Sequence, residues 1–177
     1  MSLKTEEIKF GAGERAIRKE KFLYLHGRKE FNMNAGDLAA WQFTLKHGGL
    51  LFADACCGNE AFDKSFRKLV YDLFPKEKFV RVPFEEKDRD PLFSAKNNGG
   101  TALTAANIQC RTKSNGEMQS MEPLLEGIQI DGRWVVLYSR YDIGCALERH
   151  TSPDCVGYAP ESALRIATAV VRYHALR

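Results

Sequence analysis

The stretch Gly48–Gly58, GGLLFADACCG, constrains the fold of this 177-residue chain more than any other part of it. Gly48 suits the left-handed conformation that stops a helix. Leu50 to Ala55 then runs with a single polar side chain, Asp54, which reads as a strand buried on both faces. Cys56, Cys57 and Gly58 make a sharp turn before a helix that opens near Asn59. A strand of this kind needs neighbours on both edges and helices over both faces, so the flanking sequence has to supply them.

Upstream, Phe22 to His26 (FLYLH) is another continuous apolar run, closed by Gly27. Between the two runs Asn34 is a good N-cap with Asp37 three residues on, and Leu38, Trp41 and Leu45 form a helical stripe. Lys46 and His47 favour the negative end of that helix. Strand, helix and strand at this length form a βαβ unit with a right-handed crossover, which makes the two strands parallel. Downstream, Phe62, Phe66, Leu69, Val70 and Leu73 recur at helical period until Pro75 ends the helix.

Further elements follow by the same reasoning. Ile8 to Phe10 is a short strand ended by Gly11 to Gly13, and Glu14 to Lys21 is a surface connector or a short helical turn. Phe79 to Phe84 is an edge strand limited by Pro83. Gly127 to Ile130 and Arg133 to Ser139 form a hairpin around Asp131-Gly132, its second arm apolar enough to be central. Pro160 opens a closing helix with the stripe Leu164, Ala167, Val170 and Val171. The weakly patterned segment Glu85 to Ser120 is either a flap over a site or hides an element, with a strand expected within Thr101 to Cys110. The expected fold is therefore α/β: a three-layer αβα sandwich with a mainly parallel central sheet and an antiparallel hairpin. It forms one domain over residues 1–177, excised from a longer protein.

With 44% hydrophobic and 28% charged residues, the chain is neither disordered nor membrane-embedded in composition, and no window is apolar enough to span a membrane. The net charge of +3 comes from bases interleaved with acids, so no nucleic-acid partner is expected. Cys56, Cys57, Cys110, Cys145 and Cys155 are an odd number without a disulfide-type spacing, which favours free thiols in a reducing, cytoplasmic setting. Neither CxxC nor HExxH occurs, so local spacing gives no metal site, and no cofactor is expected.

Ligands of an open parallel sheet bind beyond the carboxyl ends of its strands. That rule collects His26 and Gly27, then Asp54 to Gly58, then Tyr141, Asp142 and Cys145. Cys56 is the candidate nucleophile, because a thiol at a strand-to-helix turn lies near a helix dipole and near backbone N–H groups that can hold an oxyanion. His26 and His150 are the candidate bases, each also explicable as a structural or surface histidine. Gly27, Asp54, Cys57, Gly58, Tyr141, Asp142 and Cys145 are the candidate ligand-binding residues. A metal shell drawn from His26, Asp54, Cys57, Asp142, Cys145 and His150 is chemically possible if these converge.

The strand ending in His26-Gly27, the run LLFADACCG, the helix FDKSFRKLVYDLFP, the DPLF segment and EGIQIDGRWVVLYSRYDIGCALE together resemble an uncharacterised bacterial domain family. That family is grouped with the class I glutamine amidotransferase-like fold, near the trehalose-utilisation-type domains. The resemblance implies a flavodoxin-like layered fold. Those amidotransferases carry the nucleophile in a G-x-C-x-G turn; here Cys56 and Gly58 match, Asp54 replaces the first glycine, and no His-Pro-Glu follows the late strand. The expectation is a domain that binds a small molecule or protein partner at the cleft without a complete triad. The alternatives are a cysteine-dependent hydrolase or amidotransferase with Cys56 as nucleophile, and a metal-binding domain.

Overall fold

The computed structural model describes residues 6–7, 14–150 and 152–177. The strand expected at Ile8 to Phe10, with its glycine terminator, lies outside them, as does Thr151. A short helix, α1 (Glu14–Lys19), leads into β1 (Phe22–Gly27), and α2 (Ala35–Lys46) connects β1 to β2 (Leu50–Ala55). β1 and β2 are parallel, with His26 opposite Asp54. Asn34 caps α2 by accepting the Asp37 N–H at 2.9 Å, and it donates its own amide to the Asp37 carboxylate. Gly48 takes φ +98° and the Gly49 N–H returns to the Thr44 carbonyl at 2.9 Å, so α2 ends where the glycines stand.

All six residues of β2 are buried, and they alternate between two cores. Leu51, Ala53 and Ala55 pack with Trp41 and Leu45 of α2 and with Phe62, Phe66 and Leu69 of α3 (Glu60–Leu73). Leu50 and Phe52 pack on the other face with Ile166 and Val170 of α5 (Pro160–Ala175). This double burial is why β2 reads as an apolar run interrupted only by Asp54.

On its other edge β2 is parallel to β7 (Arg133–Ser139), which pairs antiparallel with β6 (Glu126–Ile130). Asp131 at φ +52° and Gly132 at φ +70° give the two-residue turn expected between them. β3, only Val80–Arg81, closes the far edge, giving the order β1-β2-β7-β6-β3. Two pairings are parallel and two antiparallel, so the sheet is mixed and not mainly parallel.

Of the two readings of Glu85 to Ser120, the hidden element is the one the structure has, and the expected face of the closing helix is corrected. Leu92, Phe93, Leu103 and Ile108 are buried in the α5 core, and β4 (Gln109–Arg111) sits between β5 (Gln119–Ser120) and β8 (Gly157–Tyr158) in a second, antiparallel sheet. Side chains and not periodicity pin this segment. Asn97 donates to the carbonyls of Leu92 and Ala169, and Asp90 accepts both the Leu92 N–H and the indole N–H of Trp134. The buried face of α5 is Ala163, Ile166, Ala169, Val170 and Tyr173, and Leu164 of the expected stripe is 58% exposed. Two alanines in the true face made it look weaker than the one containing leucine.

At Gly127 a Cβ would lie 2.4 Å from the Val136 carbonyl and 2.7 Å from the Trp134 ring. Gly127→Ala is therefore expected to cost about 2 kcal/mol or more, read as a lower urea midpoint, because neither backbone nor indole can retreat in a filled core. An unchanged midpoint would contradict this account of the hairpin.

Candidate functional site

Because β1, β2 and β7 run in parallel, His26, Asp54 and Ser139 lie side by side at one edge of the sheet. After β7 the Ser139 hydroxyl donates to the Tyr141 carbonyl and accepts the Tyr141 N–H, turning the chain back over that edge. Asp142 and Ile143 then lead into a single helical turn, α4 (Gly144–Leu147).

Asp54 is fully buried, and a carboxylate there is costly unless its oxygens are bonded. Its Oδ1 accepts the Tyr24 hydroxyl at 2.5 Å, and Oδ2 accepts the N–H groups of Ile143 and Gly144 at 2.8 and 3.1 Å. The same Oδ2 lies 3.0 Å from His26 Nδ1. A carboxylate only accepts, so Nδ1 carries the proton and a neutral His26 presents a free lone pair at Nε2. A Cβ on Gly144 would come within 2.8 Å of the His26 ring and the Tyr24 hydroxyl, so only glycine permits this approach.

That lone pair faces sulfur. Cys145 Sγ is 3.8 Å from His26 Nε2 and 3.1 Å from Cys56 Sγ. Beside them Asp142, 1% exposed, accepts the Cys57 N–H at 2.6 Å and the Ala146 N–H at 3.2 Å. One ligand atom each from His26, Cys56, Asp142 and Cys145 lie within 4.8 Å of one another. Cys57 takes φ +51°, which turns its side chain away to a disulfide with Cys155. Burial, then hydrogen bonding with Cys56 and Asp142, pushes the Cys145 thiol far above its ordinary value. Burial likewise raises Cys56, and Asp142 adds to the effect. The Asp54 hydrogen bond raises His26 against the opposing effect of burial. The site thus gathers three potential anions around one imidazole.

Of the residues expected at the cleft, His26, Asp54, Cys56, Asp142 and Cys145 come together. Cys57 adjoins them through its backbone, its sulfur being committed to Cys155; the expectation that all five cysteines are free thiols is thereby corrected. Gly27 has a packing role, since a Cβ there would strike the Phe62 ring at 2.6 Å, and Gly58, at φ +67°, passes close to Val156. Tyr141 packs edge-on against Tyr158 in the core. His150 stands apart: its side chain is 78% exposed and lies 3.9 Å from Glu148. Tyr24 was not anticipated, although its position two residues before His26 on one strand puts both side chains on the same face. Nothing in the sequence marked Cys155.

The folded-state pKa of His26 is raised above 6.5, so its stabilising effect is fully present below about pH 6.5 and lost as pH rises through the folded value. In metal-free protein the stability gap between wild type and His26→Gln, from urea midpoints, is expected to be larger at about pH 5.5 than at about pH 9. A pH-independent gap would refute the His26–Asp54 coupling.

No curated protein matches the chain. A family model, described as a domain of unknown function (DUF4159), matches residues 1–175. This match over nearly the whole sequence shows that the chain belongs to the DUF4159 family.

Proposed function

We propose that this domain holds a divalent transition metal of the zinc class, ligated by His26 Nε2, Cys56 Sγ and Cys145 Sγ, with Asp142 at or beside a fourth position. The observation that carries this reading is the clustering of those four ligand atoms within 4.8 Å, with the imidazole oriented by a buried carboxylate. Zinc binds histidine nitrogen and cysteine sulfur at about 2.0–2.3 Å, so ligand atoms 3–4 Å apart surround such an ion with little movement. Asp54 on Nδ1 is the outer-shell carboxylate that fixes a metal-binding histidine in structures of this type. Metal binding requires thiolates, and the cation would offset the burial that, first among the causes, keeps both thiols protonated without it.

Cys56 and Cys145 are half-buried and the His26 side chain is 28% exposed, so the centre faces solvent. Three protein ligands and an accessible fourth position suit exchange of water for a small ligand, which agrees with a domain that binds its partner at the carboxyl-end cleft. The reading with Cys56 as nucleophile has less support. Its sulfur meets a thiol and not an imidazole, and the N–H groups of Cys57, Ile143 and Gly144 already bind carboxylates instead of standing free for an oxyanion.

Helices over both faces of the sheet and the parallel run β1, β2, β7 support the three-layer, glutamine amidotransferase-like kinship as part of the same proposal. Among the described residues, no helix is long and apolar enough to cross a membrane. The Cys57–Cys155 bond favours an oxidising compartment over the cytoplasm.

Elemental analysis after zinc loading and gel filtration is expected to find about one equivalent per chain, as for a single ligand set. Cys56→Ser and Cys145→Ser should lose it, while Cys110→Ala, altered in the distant core, should keep it. Asp54→Asn should weaken affinity by about 10–100-fold in competition with a chromophoric chelator. Failure to retain zinc, or retention in both serine variants, would overturn the proposal.

A further inference from the structure

We infer that Cys56 and Cys145 form a reversible, redox-active pair that closes to a second disulfide when no metal occupies the site. Their sulfurs are 3.1 Å apart, so bond formation at about 2.05 Å needs a shift of roughly 1 Å. Both residues sit on short elements, a three-residue turn and the single turn of α4, which can absorb such a shift without disturbing the sheet. The same turn already carries one disulfide, at Cys57, so its backbone accommodates a bridged cysteine. Cys110 does not compete, because it is buried in the other core beneath α5. His26 Nε2, 3.8 Å from Cys145 Sγ, stands where it can receive the thiol proton.

The chemistry balances with an oxidant of the peroxide class. The Cys145 thiol passes its proton to His26 Nε2, and the thiolate attacks one oxygen of hydrogen peroxide. The O–O bond breaks, leaving a sulfenic acid on Cys145; the departing hydroxide takes the proton from His26 and leaves as water. Cys56 sulfur then attacks the sulfenic sulfur, the S–O bond breaks, and the hydroxide leaves as a second water with the Cys56 proton. Two thiols and one peroxide give one disulfide and two waters, and a dithiol reductant reverses the result.

The inference rests on the metal reading in one respect only: the metal and the disulfide need the same two sulfurs, so oxidation expels the ion and the ion protects the pair. The test treats metal-stripped protein, checked by elemental analysis, with stoichiometric hydrogen peroxide and follows thiols under denaturing conditions, with peptide mapping before reduction. Titratable thiols are expected to fall from Cys56, Cys110 and Cys145 to Cys110 alone, with a Cys56–Cys145 cross-linked peptide in monomeric protein. His26→Gln should slow closure by about tenfold or more, as loss of a base does. Thiols that persist, or that oxidise singly to sulfinic acids, overturn the inference whatever zinc does. A cross-link that forms equally fast with and without zinc upholds it and counts against the metal reading.

Discussion

The buried carboxylate of Asp54 determines the arrangement of the whole cleft. It sits on the central run of parallel strands with no access to water, so its two oxygens must be satisfied by protein donors or the fold loses several kcal/mol. Those donors come from β1, through Tyr24 and His26, and from the start of α4, through the amides of Ile143 and Gly144. One side chain therefore ties the ends of β1 and β2 to the start of α4 and fixes which imidazole nitrogen points at the thiols. The strand register that places His26 beside Asp54 is a precondition, and so is the absence of a side chain at Gly144.

Asp142 plays a second, parallel part. It holds the Cys57 amide in a left-handed turn and caps α4 at Ala146, while its own backbone bridges to Val156 and Tyr158. The Cys57–Cys155 bond closes a loop spanning 98 residues over the same junction, and constraining so long a loop in the unfolded chain stabilises the native state by up to about 4.7 kcal/mol. The mixed central sheet and the small second sheet are thus joined at this corner, and the left-handed backbone of Cys57 is held by both a bond and a carboxylate.

How much of this was legible follows from the kind of interaction involved. Continuous apolar runs revealed β1 and β2, although β1 proves to be an edge strand with only Leu23 buried, and patterned apolar residues revealed α2, α3 and the β6–β7 hairpin. The carboxyl-end rule then gathered His26, Asp54, Cys56, Asp142 and Cys145 from three separate segments. It could not show which sulfur faces which, since Cys56 meets Cys145 across 89 residues while its neighbour Cys57 points elsewhere. The second sheet was hidden because its strands are two or three residues long and its segment is pinned by Asn97 and Asp90 side chains, which carry no period.

The electrostatics of the cluster bear equally on the proposed metal and on the proposed disulfide. Two sulfurs and a carboxylate next to a neutral imidazole cannot all be ionised in a half-buried space without a counter-charge. Among the described residues no lysine or arginine side chain is hydrogen-bonded to Cys56, Asp142 or Cys145, and the Arg28 charge acts on Cys56 only as a minor influence. Three arrangements leave the two sulfurs without uncompensated charge: both thiols keep their protons, a divalent ion replaces those protons, or the sulfurs bond and release protons and electrons together. Asp54 favours the second and third over the first, because it holds His26 where it can ligate the ion or receive the Cys145 proton. The carboxylate that stabilises the fold at the sheet edge is therefore also the group that keeps the thiol pair chemically usable.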